Sequence, residues 1–330
     1  MSMTAPHGAR GLSLAIDPAM ETARIADTLR RQVRQDLRKR GIVLGLSGGI
    51  DSSVCAALAT RAVGAANVFC VLMPERDSDP ESLELGQLVA DTYGLASAVE
   101  DIGPMLDAMG CYARRDAAIR QVVPEYGPGW SCKIAISDAL AGGYAISWLV
   151  VQDPEGHIRK LRMPPAVYLA IVAATNMKQR TRKQIEYYHA DRLGHAVLGT
   201  PNRLEYDQGF FVRNGDGAAD VKPIAHLYKT QVYALAAHLG VPERIRRRPP
   251  TTDTWPMAQS QDEFYFALPY DRMDLCLYGL DQGVQRTAVA EAAGLTEEQV
   301  DLVWQDIVSK RKATRNLHRE PLLVEPVLDP

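Results

Sequence analysis

LGLSGGIDSSV, residues Leu44 to Val54, decides how this chain is read. The apolar run Ile42–Leu46 has the profile of a strand buried on both faces. Ser47–Ile50 reads as a turn and Ser52–Val63 as a helix. Gly48 and Gly49 let the backbone turn tightly with its N–H groups facing outward. The hydroxyls of Ser47, Ser52 and Ser53 add donors, and the following helix presents its positive end. Such a strand, turn and helix cradle polyphosphate. No Gly-Lys-Ser/Thr follows, so this is not the nucleoside-triphosphate P-loop. No G-x-G-x-x-G is present either, which excludes a dinucleotide fingerprint. Asp51 beside a phosphate nest would be repelled without an intervening cation, so its position implies Mg²⁺. The plainer alternative is a capping aspartate at an ordinary turn.

Working outward, Asn67–Leu72 and Ala96–Glu100 are strand-like and Asp79–Tyr93 is helix-like. Asp17 reads as the N-cap of an amphipathic helix with Pro18 at its first position. This alternation predicts an α/β fold: a doubly wound, mostly parallel sheet with flanking helices. Residues 122–165 break the rhythm. Tyr144–Gln152 and His157–Met163 flank a DPEG turn, which predicts a β-hairpin insertion. A helix over Ala166–His189, a strand at His195–Gly199 and a helix at Leu227–Leu239 follow. Beyond Pro249 and Pro250 come a polar stretch to Glu263, read as a lid over the site, and shorter helices; residues 253–330 form a C-terminal helical region.

Composition narrows the class. Of the 330 residues 46% are hydrophobic and 23% charged, as in a folded soluble protein, and a net charge of −3 gives no general affinity for nucleic acid. The basic run Arg30–Arg40 reads as a solvated helix end. Five scattered cysteines without metal-ligand spacing point to a reducing compartment. The N-terminus lacks a signal-peptide core, and Ala139–Val151 is too short to span a bilayer; the expected location is cytoplasmic, with no membrane partner.

S-G-G-x-D-S after a buried strand resembles the ATP pyrophosphatase superfamily, whose fold is of the adenine-nucleotide alpha-hydrolase type. Gly199–Ile245 closely resembles the NAD synthetase family, and NMKQRTR (Asn176–Arg182) and PTT (Pro250–Thr252) stand at matching spacings. The resemblance covers most of residues 41–252 outside the insertion, fades toward the C-terminus, and implies one domain over 1–330. It implies ATP-dependent amidation of deamido-NAD by ammonia through an acyl-adenylate, giving NAD, AMP and pyrophosphate. ATP would be held by Gly45, Leu46, Ser47, Gly48, Gly49, Ile50, Asp51, Ser52, Ser53, Thr200, Lys229 and Thr251. Asp51 and Lys229 would be catalytic, and Asp51 with Glu205 would hold Mg²⁺. Arg180, Arg213, Asp220, His318 and Arg319 would line the acceptor site, although the family often has lysine where Arg213 stands. The competing reading is an amide ligase of the same architecture acting on a different carboxylate. A homodimer is also implied. Glutamine-using relatives carry an additional amidohydrolase domain, so free ammonia or a separate glutaminase partner is expected here.

The residues themselves support this unevenly. Thr200 follows a strand at its carboxyl edge, where open α/β sheets bind ligands, and Glu205 on the same loop could meet Asp51 across the crevice. Without the resemblance the plainer alternative for Glu205 is a surface residue. Lys229 opens a helix, an unfavourable place for a cation; that fits a phosphate ligand or a plain exposed lysine. Asp51 and Lys229 are both expected at the crevice rather than in the core. Asp216, in NGDGAAD, reads as a turn former, and Arg180 and Arg182 alone read as solvated helix residues.

Overall fold

The computed structural model describes residues 12–136, 147–251, 254–259, 262–266 and 268–327. In chain order the elements begin with α1 (Pro18–Arg31), β1 (Ile42–Gly45), α2 (Ile50–Val63), β2 (Val68–Leu72), α3 (Pro80–Tyr93) and β3 (Ala96–Val99). Next come α4 (Gly103–Ala108), α5 (Cys111–Arg120), β4 (Ser131–Ile136), β5 (Ser147–Gln152), β6 (Ile158–Arg162) and α6 (Pro165–Leu193). The remainder is β7 (Ala196–Val197), α7 (Arg203–Gln208), α8 (Lys229–Leu239), α9 (Glu243–Arg247), α10 (Tyr270–Gln282), α11 (Arg286–Ala293) and α12 (Glu297–Thr314).

β1, β2, β3 and β7 form a parallel sheet in the order β3-β2-β1-β7. Strand alternation assigns its two faces. Ile42, Leu44, Val68, Cys70, Leu72 and Ala196 pack under α1, α2, α3 and α8, while Val43, Val71 and Val197 pack against α4, α5 and α6. Both faces are covered, as the doubly wound expectation requires. The chain leaves β1 toward β2 on one side and reaches β7 on the other, so a crevice opens at the carboxyl ends between β1 and β7.

Local chemistry sets the helix starts. The Asp17 carboxylate accepts from Ala19 and Met20 N–H at 2.9 and 3.1 Å and caps α1. α2 begins at Ile50, two residues earlier than expected, and its N-cap Gly49 has no side chain to satisfy the first turn. Gly48 takes a left-handed φ of +71°, and a Cβ there would come within 2.7 Å of Ser82 O. Only glycine fits that turn.

Residues 131–162 need a correction. The DPEG hairpin pairs β5 with β6, but β4 joins β5 as well, making a three-stranded antiparallel sheet. Its inner face (Cys132, Ile134, Leu149, Val151) packs with Ile119 of α5 and with Val167 and Ile171 of α6. β6 lies at the edge with Ile158, Arg159, Lys160 and Arg162 exposed. A third cluster, including Phe266, Met273, Leu277, Val289, Val300 and Ile307, joins α10, α11 and α12 in the C-terminal region. Residues 144–146 of the expected strand, most of the apolar stretch at Ala139–Val151, and Thr252, Asp253, Ser260 and Gln261 of the expected lid lie outside the described residues.

Candidate active site

A cavity of about 910 Å³ occupies the carboxyl edge of the parallel sheet. The turn after β1 enters it with Gly45, Leu46, Ser47, Gly48, Gly49, Ile50, Asp51 and Ser52; Thr200 and Glu205 come from the segment after β7, and Thr251 from beyond α9. One residue expected to hold ATP takes a different place. Ser53 is fully buried, does not line the cavity, and donates to Gly49 O at 2.7 Å. Its hydroxyl shapes the turn from within. Ser47 and Ser52 hydroxyls lie 3.2 Å apart on the cavity side, beside the uncapped start of α2. That end offers N–H donors and a positive dipole to an anion.

Next to this nest lies a buried charged cluster. The Lys229 ammonium donates to Asp51 Oδ2. Asn202 Nδ2 donates to the other Asp51 oxygen at 3.1 Å, and Asn202 N–H donates to Glu205 Oε2 at 3.1 Å. Asn202 and Glu205 also form a capping box at the start of α7, so one asparagine fixes both carboxylates. Lys229 is 0% exposed, which corrects the expectation of a lysine at the crevice. It is buried because two carboxylates compensate it. Burial works against its charge, yet Asp51 and Glu205 outweigh burial and hold its pKa above the usual value. The misfit between a cation and a helix N-terminus is met from below: both Asp274 oxygens accept backbone N–H bonds, from Lys229 at 3.2 Å and Thr230 at 2.8 Å. Burial pushes Asp274 up to about 6 despite those donors. Glu205 is raised as well, first by burial and then by the neighbouring Asp51 carboxylate.

The acceptor-side residues gather elsewhere. Arg180, Arg213, Asp220, His318 and Arg319 do not line the cavity. Arg180 donates to Arg213 O at 3.2 Å and Arg213 to Arg319 O at 3.4 Å, so the three arginines meet on an exposed face. His318 sits edge-on to Tyr206 and Phe211 at 4.8 and 5.2 Å. Asp220 instead anchors β7, accepting Val197 N–H at 2.8 Å and the Tyr187 hydroxyl at 3.4 Å. Asp216 accepts Val212 N–H at 2.7 Å, the turn-forming role read from its loop, and it is part of the cavity wall. Arg182, read as solvated, faces the cavity and reaches Met73 O and Ser78 Oγ at 3.3 Å each.

Sequence reasoning missed the pair Lys183 and Glu186. Both line the cavity, both are buried, and Lys183 Nζ donates to Glu186 Oε2 at 2.6 Å. Their spacing looks like an ordinary surface ion pair; only the neighbouring buried positions of α6 distinguish them. Asp51 and Glu205 suit a divalent cation by donor chemistry: both are hard-oxygen carboxylates that line the cavity and share one asparagine, and Lys229 hydrogen-bonds only Asp51 of the two.

Known proteins share this chain's sequence and fold. NAD synthase sequences match residues 21–123 and 159–317. An "NH(3)-dependent NAD(+) synthetase" of Rhizobium meliloti is 72% identical over 96% of this chain and 94% of its own length. Two solved structures share the fold. An NMN synthetase from Francisella tularensis aligns with a TM-score of 0.64 at 19% identity, covering 94% of this chain and 99% of its own. An NH3-dependent NAD synthetase from Campylobacter jejuni aligns with a TM-score of 0.61 at 22% identity, covering 94% and 100%. With a parallel sheet, a phosphate nest and a match over most of its length, the chain belongs to the NAD synthase family.

Proposed function

We propose that this chain amidates deamido-NAD with ammonia, using ATP and giving NAD, AMP and pyrophosphate. The observation that carries the reading is the 72% identity, nearly end to end, with an ammonia-dependent NAD synthetase. An amide ligase for a different carboxylate is not favoured.

A carboxylate does not condense with ammonia at neutral pH, because it is a poor electrophile. A carboxylate oxygen of the acceptor attacks the α-phosphorus of ATP, and the bond to the leaving pyrophosphate breaks. The ammonia nitrogen then attacks the acyl carbon, the bond to AMP breaks, and the nitrogen gives up a proton. Ser47, Ser52 and the first N–H groups of α2 hold the pyrophosphate as its charge grows. Lys229 holds Asp51 in place, and its charge lies beside Glu205 as well. Thr200 and Thr251, both lining the cavity, contact the nucleotide. Asp51 and Glu205 would hold Mg²⁺, which supplies further neutralisation of the phosphates when bound. Arg180, Arg213, His318 and Arg319 serve the acceptor from an exposed face, which a second copy of the chain would cover in a homodimer. Asp220 supports that side through β7.

The remaining proposals are coarser. The whole chain acts as one catalytic domain, with residues 122–165 as its insertion and 253–330 as its C-terminal helical region. A separate glutaminase could supply the ammonia. Five buried, unpaired cysteines fit a cytoplasmic location, and among the described residues no helix is long and apolar enough to cross a membrane.

Mass spectrometry of products from the purified chain with ATP, ammonium chloride and deamido-NAD tests the reading. NAD, AMP and pyrophosphate in equal amounts are expected. Pyrophosphate release with no NAD would overturn the assigned acceptor.

A further inference from the structure

We propose that Glu186 receives ammonium at the cavity wall; the inference rests on the ammonia-dependent reading above. α6 carries Lys183 and Glu186 one turn apart, with only 6% and 8% of their side chains exposed. Charged pairs at this spacing normally face water. Here both face the cavity instead. Lys183 satisfies Oε2 of the carboxylate. Among the described residues, no other donor reaches Glu186, and Oε1 is left pointing at Gly45. A Cβ on Gly45 would stand 2.9 Å from that oxygen, so glycine at the end of β1 makes room for it. That oxygen opens on the cavity and accepts no hydrogen bond from the described residues, so a donor bound in the cavity can reach it.

The three substrates differ sharply in what they can offer there. ATP and deamido-NAD carry phosphate charge, which a buried carboxylate repels. Ammonia exists mainly as ammonium at neutral pH, a small cation whose every face is an N–H donor. A charge-assisted hydrogen bond to Glu186 suits it. Lys183 occupies only one of the two carboxylate oxygens, and its charge also acts on Asp216 and Lys222 beside it. The location is useful: Gly45 directly precedes the Leu46–Ser52 turn, so a nitrogen held at Glu186 waits beside the phosphate nest. Glu186 recruits and holds the cation; no proton transfer is assigned to it.

Steady-state kinetics of Glu186→Gln and Glu186→Ala, with ammonium varied at saturating ATP and deamido-NAD, test the assignment. Exchange of pyrophosphate into ATP reads the ammonia-independent half-reaction alongside. The KM for ammonium is expected to rise roughly tenfold or more in the alanine variant and less in the glutamine variant, which keeps an acceptor oxygen. Exchange and the KM values for both nucleotides should stay within about twofold, because those ligands do not depend on this oxygen. An unchanged ammonium KM overturns the proposal. So does a raised KM for ATP or deamido-NAD, which would assign the carboxylate to a sugar hydroxyl. Loss of exchange in the glutamine variant, which is nearly isosteric, would make the pair structural and equally overturn it. Failure of the wild-type chain to form NAD would instead strike the underlying reading.

Discussion

On the nucleotide side, Lys229, Asp51 and Glu205 are withdrawn from water and tied to one another through Asn202. On the proposed acceptor side, Arg180, Arg213 and Arg319 are exposed, and the bonds joining them run to backbone carbonyls. The two sides place opposite demands on the fold. A buried cation with two carboxylates is held only while all the charges are present, and removing one strands the others. An exposed guanidinium can be removed with little structural consequence. Folding and catalysis are therefore coupled at one end of the site and separable at the other.

Lys229→Ala is the sharpest way to break this contrast. Pyrophosphate release should fall roughly 10²–10³-fold, and unfolding free energy should drop by about 3–5 kcal/mol, because Asp51 and Glu205 lose their shared cation. Adding Asp51→Asn should restore part of the stability and none of the activity. Denaturant unfolding with a pyrophosphate assay measures both. A Lys229→Ala protein as stable as the wild type would mean that the cluster is not coupled to folding.

A second, smaller effect comes from Asp274 beneath the same cluster. Its folded pKa of about 6 lies above the ordinary aspartate range, so the folded state binds this proton more tightly than the unfolded chain. The contribution is fully present below about pH 4 and is lost as pH rises through 6, on the order of 2 kcal/mol. Asp274→Asn should flatten that part of the stability profile. Identical slopes between pH 4 and 7 would refute the shift. Smallest of all in stability terms is Arg180→Ala. It should leave unfolding within about 0.5 kcal/mol of wild type and ATP binding unchanged, while raising the KM for deamido-NAD. A fall in melting temperature, or a weaker ATP response, would erase the distinction between the two sides.

The same contrast explains what could be read in advance. β1 and the turn after it announce themselves locally: a short apolar run, two glycines, then serines around an aspartate. The strand alternation that builds the parallel sheet is also local, and so it was legible. β4 was not, because SCKIAI sits in a Gly- and Pro-rich stretch and becomes a strand by pairing with β5. Burial of charged residues was the larger blind spot. Lys229 looks like any lysine at a helix start until Asp51, 178 positions earlier, is folded against it. Lys183 and Glu186 have the spacing of a solvated pair, and only packing of α6 against the sheet turns them inward. The exposed arginines have no local signature at all, and only the resemblance proposes a role for them.

The edge strand β6 has a consequence for the behaviour of the enzyme at high concentration. An uncovered edge presents unpaired N–H and C=O groups on which a strand from another molecule could add. β6 is such an edge, and it carries Arg159, Lys160 and Arg162 within five residues. Lys160 and Arg162 lie over the Trp148 ring at 5.3 and 5.2 Å, which also shields the indole from an approaching apolar surface. Any like strand docking there would bring its own three cations against these. The antiparallel sheet thus carries charge on its own edge that opposes strand addition there.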